Sequence, residues 1–138
     1  MRLVGITMAM AAGLALGGCA AQTQSEQQAP PGLAGTAWTV ERIGERTMQA
    51  PEPTIEFRAD GRVGGKASCN SYGGTWRVEG ARLTLGGMFS TRMACAAPLM
   101  AQEQALFAAL GDGGRYAVED GKMVFTGANG ARIVARRS

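Results

Sequence analysis

The chain has 138 residues, of which 46% are hydrophobic and 18% are charged, and it contains no histidine. This length predicts one domain with at most short appendages. The absence of histidine excludes Ser-His-Asp catalysis, Cys-His catalysis and every metal site that depends on imidazole ligands. The formal charge is only +3 and the longest basic run is Arg136-Arg137, so the composition gives no sign of nucleic-acid binding.

Residues 1–19 differ in composition from the rest of the chain. Arg2 is their only charged residue, and residues 3–16 (LVGITMAMAAGLAL) form an almost continuous apolar run. This run is too short for a helix that crosses a bilayer, which needs about 20 residues. A basic start, a short apolar stretch and small residues at its end are typical of an export signal.

The end of this segment, Leu16-Gly17-Gly18-Cys19, resembles the lipobox of bacterial lipoproteins. The resemblance implies cleavage after residue 18 and acylation of Cys19, so that acyl chains hold the protein to a membrane. Ala20, and not an aspartate, follows the cysteine. By the sorting pattern of enteric bacteria this resemblance favours the outer membrane, with the domain facing the periplasm. The alternative is an ordinary signal peptide that is cleaved elsewhere and leaves Cys19 without a role.

Residues 20–32 contain no large apolar side chain and end in Pro30, Pro31 and Gly32. Such a segment cannot bury a core, and it is predicted to be a disordered tether. We therefore expect three regions: a signal peptide over 1–18, the lipidated cysteine and tether over 19–32, and one folded domain over 33–138.

Short alternating runs predict strands in this domain. Turn pairs such as Asp60-Gly61 and Asn129-Gly130 separate runs in which apolar and polar residues alternate. These pairs favour the positive φ angles of tight hairpins, and alternation with period two places the apolar side chains on one face. Short strands joined by hairpins indicate an antiparallel sheet curled into a barrel-like form. The predicted strands cover residues 36–43, 53–58, 62–69, 74–79, 81–86, 115–119, 122–127 and 131–136.

Residues 98–110 break this pattern and predict a helix. They are rich in Ala, Leu, Gln and Glu. Pro98 suits the first helical position, and Gly111 suits the position just past the end. We expect the helix to cover one side or end of the sheet with an apolar face, interrupted at its edge by Glu103, that contains Leu99, Leu106, Phe107 and Leu110.

If Cys19 carries lipid, Cys69 and Cys95 remain as a pair. Two cysteines without histidine cannot form a four-ligand zinc site of the usual type, and in an exported protein a disulfide is the expected state. The alternative is a redox-active pair, although the Cys-x-x-Cys spacing that lowers a thiol pKa is absent. A bridge between residues 26 apart in the sequence would stabilise the fold by about 3.5 kcal/mol in the chain-entropy model.

The motifs around these cysteines resemble the META domain family. They read GGKASCNSYGG at 64–74 and TRMACAAP at 91–98, with Glu103 following in the predicted helix. LAGTAW at 33–38 and IEFRADGRVGG at 55–65 fit the same family, so the resemblance covers nearly all of 33–136. It implies a mainly β (α+β) fold, either an antiparallel calycin-like sheet or a partly open barrel, with one packed helix. For function it implies envelope-stress and drug-resistance roles in bacteria, without an established catalytic activity or an agreed ligand.

Four polar residues of these motifs are candidates for a partner-binding rim: Asn70, Tyr72, Thr91 and Arg92. The alternative is that they fasten turns and neighbouring strands, because asparagine bonds to nearby backbone and tolerates left-handed φ. In that interpretation Arg92 pairs with the carboxylate of Glu103. Three further apolar residues either line a pocket or fill the core: Met88, Phe89 and Met93.

The sequence thus predicts a lipid-anchored protein of the cell envelope that is not an enzyme and acts in stress tolerance or drug resistance. No residue is assigned a catalytic role, and we expect no metal or cofactor, since no carboxylate or lysine carries a supporting motif. The alternative is a periplasmic binding module. It would hold a small apolar ligand in a half-open barrel, or capture a protein partner through its loops as an inhibitor does.

Overall fold

The computed structural model describes residues 32–138. The predicted signal peptide over 1–18, the lipidation site Cys19 and the tether up to residue 31 lie outside the described residues. The elements of residues 32–138, in chain order, are β1 (Thr36–Ile43), β2 (Arg46–Thr47), β3 (Thr54–Phe57), β4 (Arg62–Lys66), β5 (Ser71–Glu79), β6 (Arg82–Ser90), α1 (Ala97–Leu110), β7 (Gly113–Glu119), β8 (Lys122–Gly127) and β9 (Arg132–Arg137).

The strands form a closed antiparallel barrel. From β3 to β9 each strand pairs with the next one in the chain, and β1 joins β3 on one side and β9 on the other. The two-residue β2 pairs only with the end of β1. A register shift between Val40 and Arg42 bends β1 where it pairs with β9, as bulges do at the corners of barrels. The predicted antiparallel, calycin-like fold with one packed helix is confirmed, and the β1–β9 ladder closes the sheet into a barrel.

The two ends of the barrel carry different connections. At one end, here called the hairpin end, the turns at 58–61, 80–81 and 120–121 join consecutive strands. The opposite end, here called the capped end, carries residues 48–53, 67–70, 91–112 and 128–131, which include α1. The β9 residue Arg137 pairs with Trp38 near the start of β1, so both ends of the described chain lie at the hairpin end.

Helix α1 covers the capped end. Pro98 lies in its first turn, and Gly111 ends it with a positive φ of 45° and an N–H that donates to the carbonyl of Phe107. The predicted helix is confirmed to within one residue, but its buried face differs. Gln102 and Glu103 are buried together with Leu106, Ala109 and Leu110, while Leu99 and Phe107 are only half-buried.

The strand bounds follow the prediction closely at the hairpin end and less closely at the capped end. Strand β4, predicted over 62–69, ends at Lys66 because Ser68 has a φ of 85° and turns the chain back. Strand β6, predicted over 81–86, continues to Ser90 because Gly86-Gly87 forms a bulge and not a turn. The two-residue β2 was not predicted.

Candidate functional site

The turn at 67–70, between β4 and β5, is the centre of a buried polar network at the capped end. The N–H of Ala67 donates to the carbonyl of Asn70 at 2.7 Å and closes the turn. The main-chain N–H of Asn70 donates to Oε2 of Glu103 at 2.8 Å, and its Nδ2 donates to Oε1 of the same carboxylate at 2.7 Å. Asn70 and Glu103 are 2% and 5% exposed, so α1 is fastened to this turn away from water.

The amide of Asn70 also holds the segment that follows β6. Its Oδ1 accepts from the N–H of Met93 at 2.6 Å and from the hydroxyl of Thr91 at 2.9 Å, and its Nδ2 donates to the carbonyl of Met93 at 3.2 Å. One side chain therefore joins the β4–β5 turn, the β6–α1 connection and the helix. Throughout residues 32–138, every buried side-chain nitrogen and oxygen has a hydrogen-bond partner.

The disulfide predicted between Cys69 and Cys95 is confirmed. The two Cα atoms are 6.0 Å apart, and the bridge links the same turn to the residues just before α1. It therefore reinforces covalently the connection that Asn70 makes by hydrogen bonds.

A third loop joins the network through Gln102. Its Oε1 accepts from the N–H of Gln49, and its Nε2 donates to the carbonyl of Gln49 and to the hydroxyl of Ser68, both at 3.0 Å. Sequence reasoning missed this residue. The signal that was available is that Gln102 and Glu103 interrupt the apolar face of α1, and buried polar side chains need partners.

Tyr72 lies beneath α1 at the start of β5. Its hydroxyl donates to the carbonyl of Thr54 at 2.7 Å, and its ring meets the edge of Phe107 with centroids 5.6 Å apart. Burial raises the pKa of the Tyr72 phenol well above its ordinary value, so the group is a neutral hydrogen-bond donor rather than an acid or base.

The structure thus divides the four residues of the predicted rim. Asn70 and Tyr72 are buried and make internal hydrogen bonds, whereas Thr91 and Arg92 are exposed. Thr91 also fastens the strands, because its hydroxyl accepts from the N–H of Ser71 at 3.1 Å. The expected Arg92–Glu103 ion pair is wrong: the Glu103 carboxylate is occupied by two N–H donors of Asn70 instead. Partner binding by Thr91 and Arg92 stays a prediction.

The barrel interior is filled by side chains. A void among nine core residues has no volume that admits a water molecule. This packing speaks against the half-open ligand barrel considered above, because a small apolar ligand would have to displace core side chains. The residues around the void are Ile55, Phe57, Val63, Leu83, Leu85, Met88, Leu110, Met123 and Phe125.

Two of the cavities on the outside of the barrel lie on either side of Phe89. The first, here called the glycine groove, measures about 500 Å³ and runs over β3, β4 and β5. Its floor contains Gly64 and Gly73, which face each other in register, and the Phe89 ring covers Gly73 so closely that a Cβ there would lie 2.8 Å from Cζ. The second, here called the helix groove, measures about 390 Å³ and lies between β6 and α1.

Phe89 and Met93 are the large apolar side chains that residues 32–138 expose most, at 69% and 53%. Of the three apolar residues singled out in the sequence, only Met88 packs against the core. The helix groove is lined by Met88, Phe89, Ser90, Arg92, Phe107, Leu110 and Gly111.

Among residues 32–138, no group of three or more cysteine, aspartate or glutamate side chains is placed to hold a metal ion. No helix in this same part of the chain is both long and apolar enough to cross a membrane.

Solved structures share this fold at low sequence identity. A protein from Burkholderia xenovorans, solved by NMR, is 20% identical with a TM-score of 0.66, and the match covers 100% of this chain and 99% of that one. A second NMR structure is 20% identical over 74% of this chain and 89% of its own, with a TM-score of 0.63. A DUF4847 family protein from Bacteroides vulgatus is 14% identical over 75% and 93%, with a TM-score of 0.55.

No curated protein matches this chain in sequence. The family description of the META domain matches residues 31–138, which include every strand described above, the helix and both bridged cysteines. The chain therefore belongs to the META domain family.

Proposed function

We propose that this META domain protein is a lipid-anchored, non-catalytic protein of the bacterial cell envelope that binds a partner through the outer surface of its barrel. The observation that carries the proposal is the contrast between a filled interior and exposed apolar side chains beside two outer cavities. Apolar surface next to a concave groove is typical of an interaction site. The proposed role is envelope maintenance under stress or in the presence of toxic drugs.

The sequence before the domain supports the anchor. An apolar run followed by Leu16-Gly17-Gly18-Cys19 resembles a lipoprotein signal, and residues 20–32 have the composition of a tether. The described chain begins at the hairpin end. An anchor attached there leaves the capped end, with Phe89 and Met93, free to face the periplasm from the outer membrane.

The residues of the domain support a non-catalytic role. The sequence has no histidine, and two of its three cysteines are joined to each other. The buried carboxylate of Glu103 and the buried phenol of Tyr72 both make internal hydrogen bonds that hold the fold. These groups are therefore engaged in structure rather than directed at a substrate.

Metabolic labelling tests the anchor. Cells that express the full chain are grown with an alkyne analogue of palmitate, and the labelled protein is followed into membrane fractions. We expect the wild type and the Cys69→Ala/Cys95→Ala variant to incorporate label, and Cys19→Ala to incorporate none and leave the membrane. Equal labelling of Cys19→Ala, or none in the wild type, contradicts the anchor.

Deletion of the gene tests the role. The deleted strain should become more sensitive to heat and to bulky antibiotics such as novobiocin, and the wild-type gene should restore resistance. Phe89→Ser should restore less, because it removes exposed apolar surface from both grooves. Val124→Ser is the matched control, since Val124 lies half-buried on β8, between the inward-facing Met123 and Phe125. Unchanged sensitivity of the deleted strain contradicts the role.

A further inference from the structure

The edge of β6 that faces the helix groove has main-chain groups without a partner strand. β7 pairs with β6 only at residues 82–84, and the N–H of Leu85 donates to the carbonyl of Asp112. Beyond that point α1, not a strand, lies beside β6. The last residues of β6 are therefore a sheet edge inside a barrel that is otherwise closed.

The register of the β5–β6 ladder shows which groups point away from β5. The N–H of Thr91 donates to Ser71, and Phe89 pairs with Gly73, so residues 89 and 91 bond toward β5. In an antiparallel ladder the residues between them direct their main-chain groups the other way. The carbonyl of Met88 and both main-chain groups of Ser90 thus face the helix groove. None of these three groups has a main-chain partner within residues 32–138.

Side chains around this edge provide an apolar wall and one unpaired charge. Phe107 and Leu110 of α1 form the opposite wall, and the exposed Phe89 also lines the groove. The cavity of about 390 Å³ falls within the range of ligand pockets, roughly 300–1,000 Å³. Arg92 lies at its margin and makes no ion pair within residues 32–138.

We propose that the helix groove binds an extended segment of a partner protein, which adds a strand to the free edge of β6 at Met88 and Ser90. Free N–H and C=O groups along a strand are satisfied by an extended backbone, and neighbouring apolar pockets select side chains at alternate positions. The unpaired guanidinium of Arg92 selects a carboxylate on the segment. The inference rests on the proposed binding function and names the chemistry of the partner: an extended peptide, apolar at alternate positions, with one acidic group.

Selection from a phage-displayed library of random decapeptides tests this proposal. The bait is the full chain in the form that the cell produces after processing. We expect the enriched peptides to alternate apolar residues and to share an aspartate or glutamate. A synthetic copy of one selected peptide should slow hydrogen exchange at the Ser90 amide. Methylating alternate backbone nitrogens of the peptide should abolish binding in one register and leave it intact in the other.

Matched variants separate the parts of the site. Ser90→Pro removes an N–H that β5 does not use and should weaken peptide binding about tenfold, the loss of one main-chain hydrogen bond. Phe89→Ser should weaken it while Val124→Ser does not. Arg92→Glu should reverse the charge preference of selected peptides, whereas Arg77→Glu, on the outer face of β5, should leave it unchanged. Each variant is compared with the wild type only if the two have the same melting temperature and an intact disulfide.

Three outcomes overturn the proposal. The first is a selection whose peptides share neither alternating apolar residues nor an acidic residue. The second is a bound peptide that leaves hydrogen exchange at the Ser90 amide unchanged. The third is a dimer of this chain that pairs through β6 and dissociates in Ser90→Pro. Palmitate labelling tests the lipid anchor separately. A labelled chain that binds no peptide overturns the docking site alone, and an unlabelled chain that binds peptide overturns the anchor alone.

Discussion

The two ends of the barrel hold their connections by different means. At the hairpin end, the hydrogen bonds of the Asp60 side chain reach only two residues along the chain, to Arg62. At the capped end, the side chains of Asn70 and Gln102 join segments up to 53 residues apart. The hairpin end is therefore held by local turn chemistry and by exposed side-chain contacts, such as the bond that Nε1 of Trp76 donates to the carbonyl of Arg58. The capped end depends instead on buried polar contacts between distant segments. Substitutions in the buried network of the capped end should therefore cost far more stability than equivalent substitutions in exposed turns.

Asn70→Asp should have the largest effect. It replaces the donor Nδ2 by an oxygen that faces Oε1 of Glu103, where the two atoms are now 2.7 Å apart. Two carboxylates in a buried site repel each other, and the disrupted network should cost about 3–5 kcal/mol of unfolding free energy. Urea unfolding followed by tryptophan fluorescence measures the loss.

The matched control for this substitution is Asn129→Asp. Asn129 is exposed in the β8–β9 turn, and its Oδ1 accepts from the N–H of Ala131, which aspartate can still do. Its effect should stay within about 0.5 kcal/mol. If the two variants lose equal stability, the Asn70 network is not what fastens the capped end.

Removal of the disulfide should have the second largest effect. The Cys69–Cys95 bridge closes a loop with a sequence separation of 26, which corresponds to about 3.5 kcal/mol in the chain-entropy model. The Cys69→Ala/Cys95→Ala variant should lose this amount, and reductant should destabilise the wild type but not the variant. Two reactive thiols in the unreduced mature protein would show that the bridge does not form in the cell.

The contrast between the ends also explains how much of the fold was predictable. The Asp60-Gly61 and Asp120-Gly121 turns and the alternation around them fixed most strands, and β1 was predicted with its observed bounds. Helix α1 was predicted because Pro98 and Gly111 mark its ends locally. These features need only a few neighbouring residues, so a single sequence contains the information.

The candidate site was only partly predictable, because its contacts join distant segments. The disulfide could be predicted from the number of cysteines, but the hydrogen-bond partner of the Glu103 carboxylate could not. Arg92 was the plausible partner by charge, and the observed donors belong to Asn70, which is 33 residues away in the sequence. The free edge of β6 was missed for a similar reason: Gly86-Gly87 has the composition of a turn, and only the pairing with β5 shows it to be a bulge.

Tyr72→Phe should have a moderate effect at the capped end. It removes the hydrogen bond to the carbonyl of Thr54 and should cost about 1 kcal/mol. Burial raises the pKa of Tyr72 above its unfolded value, so the neutral phenol contributes stability below about pH 10 that is lost as the pH rises further. The variant should lose less stability than the wild type between neutral and strongly alkaline pH. Burial raises the pKa of Tyr116 in the same direction, so part of the alkaline loss should remain. An unchanged alkaline loss contradicts the role given to Tyr72.

Asp60→Asn should have the smallest effect, because it changes the hairpin end at an exposed site. Arg62 holds the pKa of the Asp60 carboxyl below its ordinary value. The ion pair therefore contributes to folding stability above the ordinary pKa, and this contribution is lost as the pH falls through the lowered pKa. Both side chains of this ion pair are about half exposed or more, at 64% and 48%, and water and salt screen their attraction. The asparagine oxygen can still accept from the N–H of Arg62, so the turn should keep its shape. We expect no measurable change in the urea midpoint at neutral pH and high salt. A loss comparable to that of Asn70→Asp would mean that the hairpin end also depends on its side-chain contacts, and the proposed difference between the two ends would be wrong.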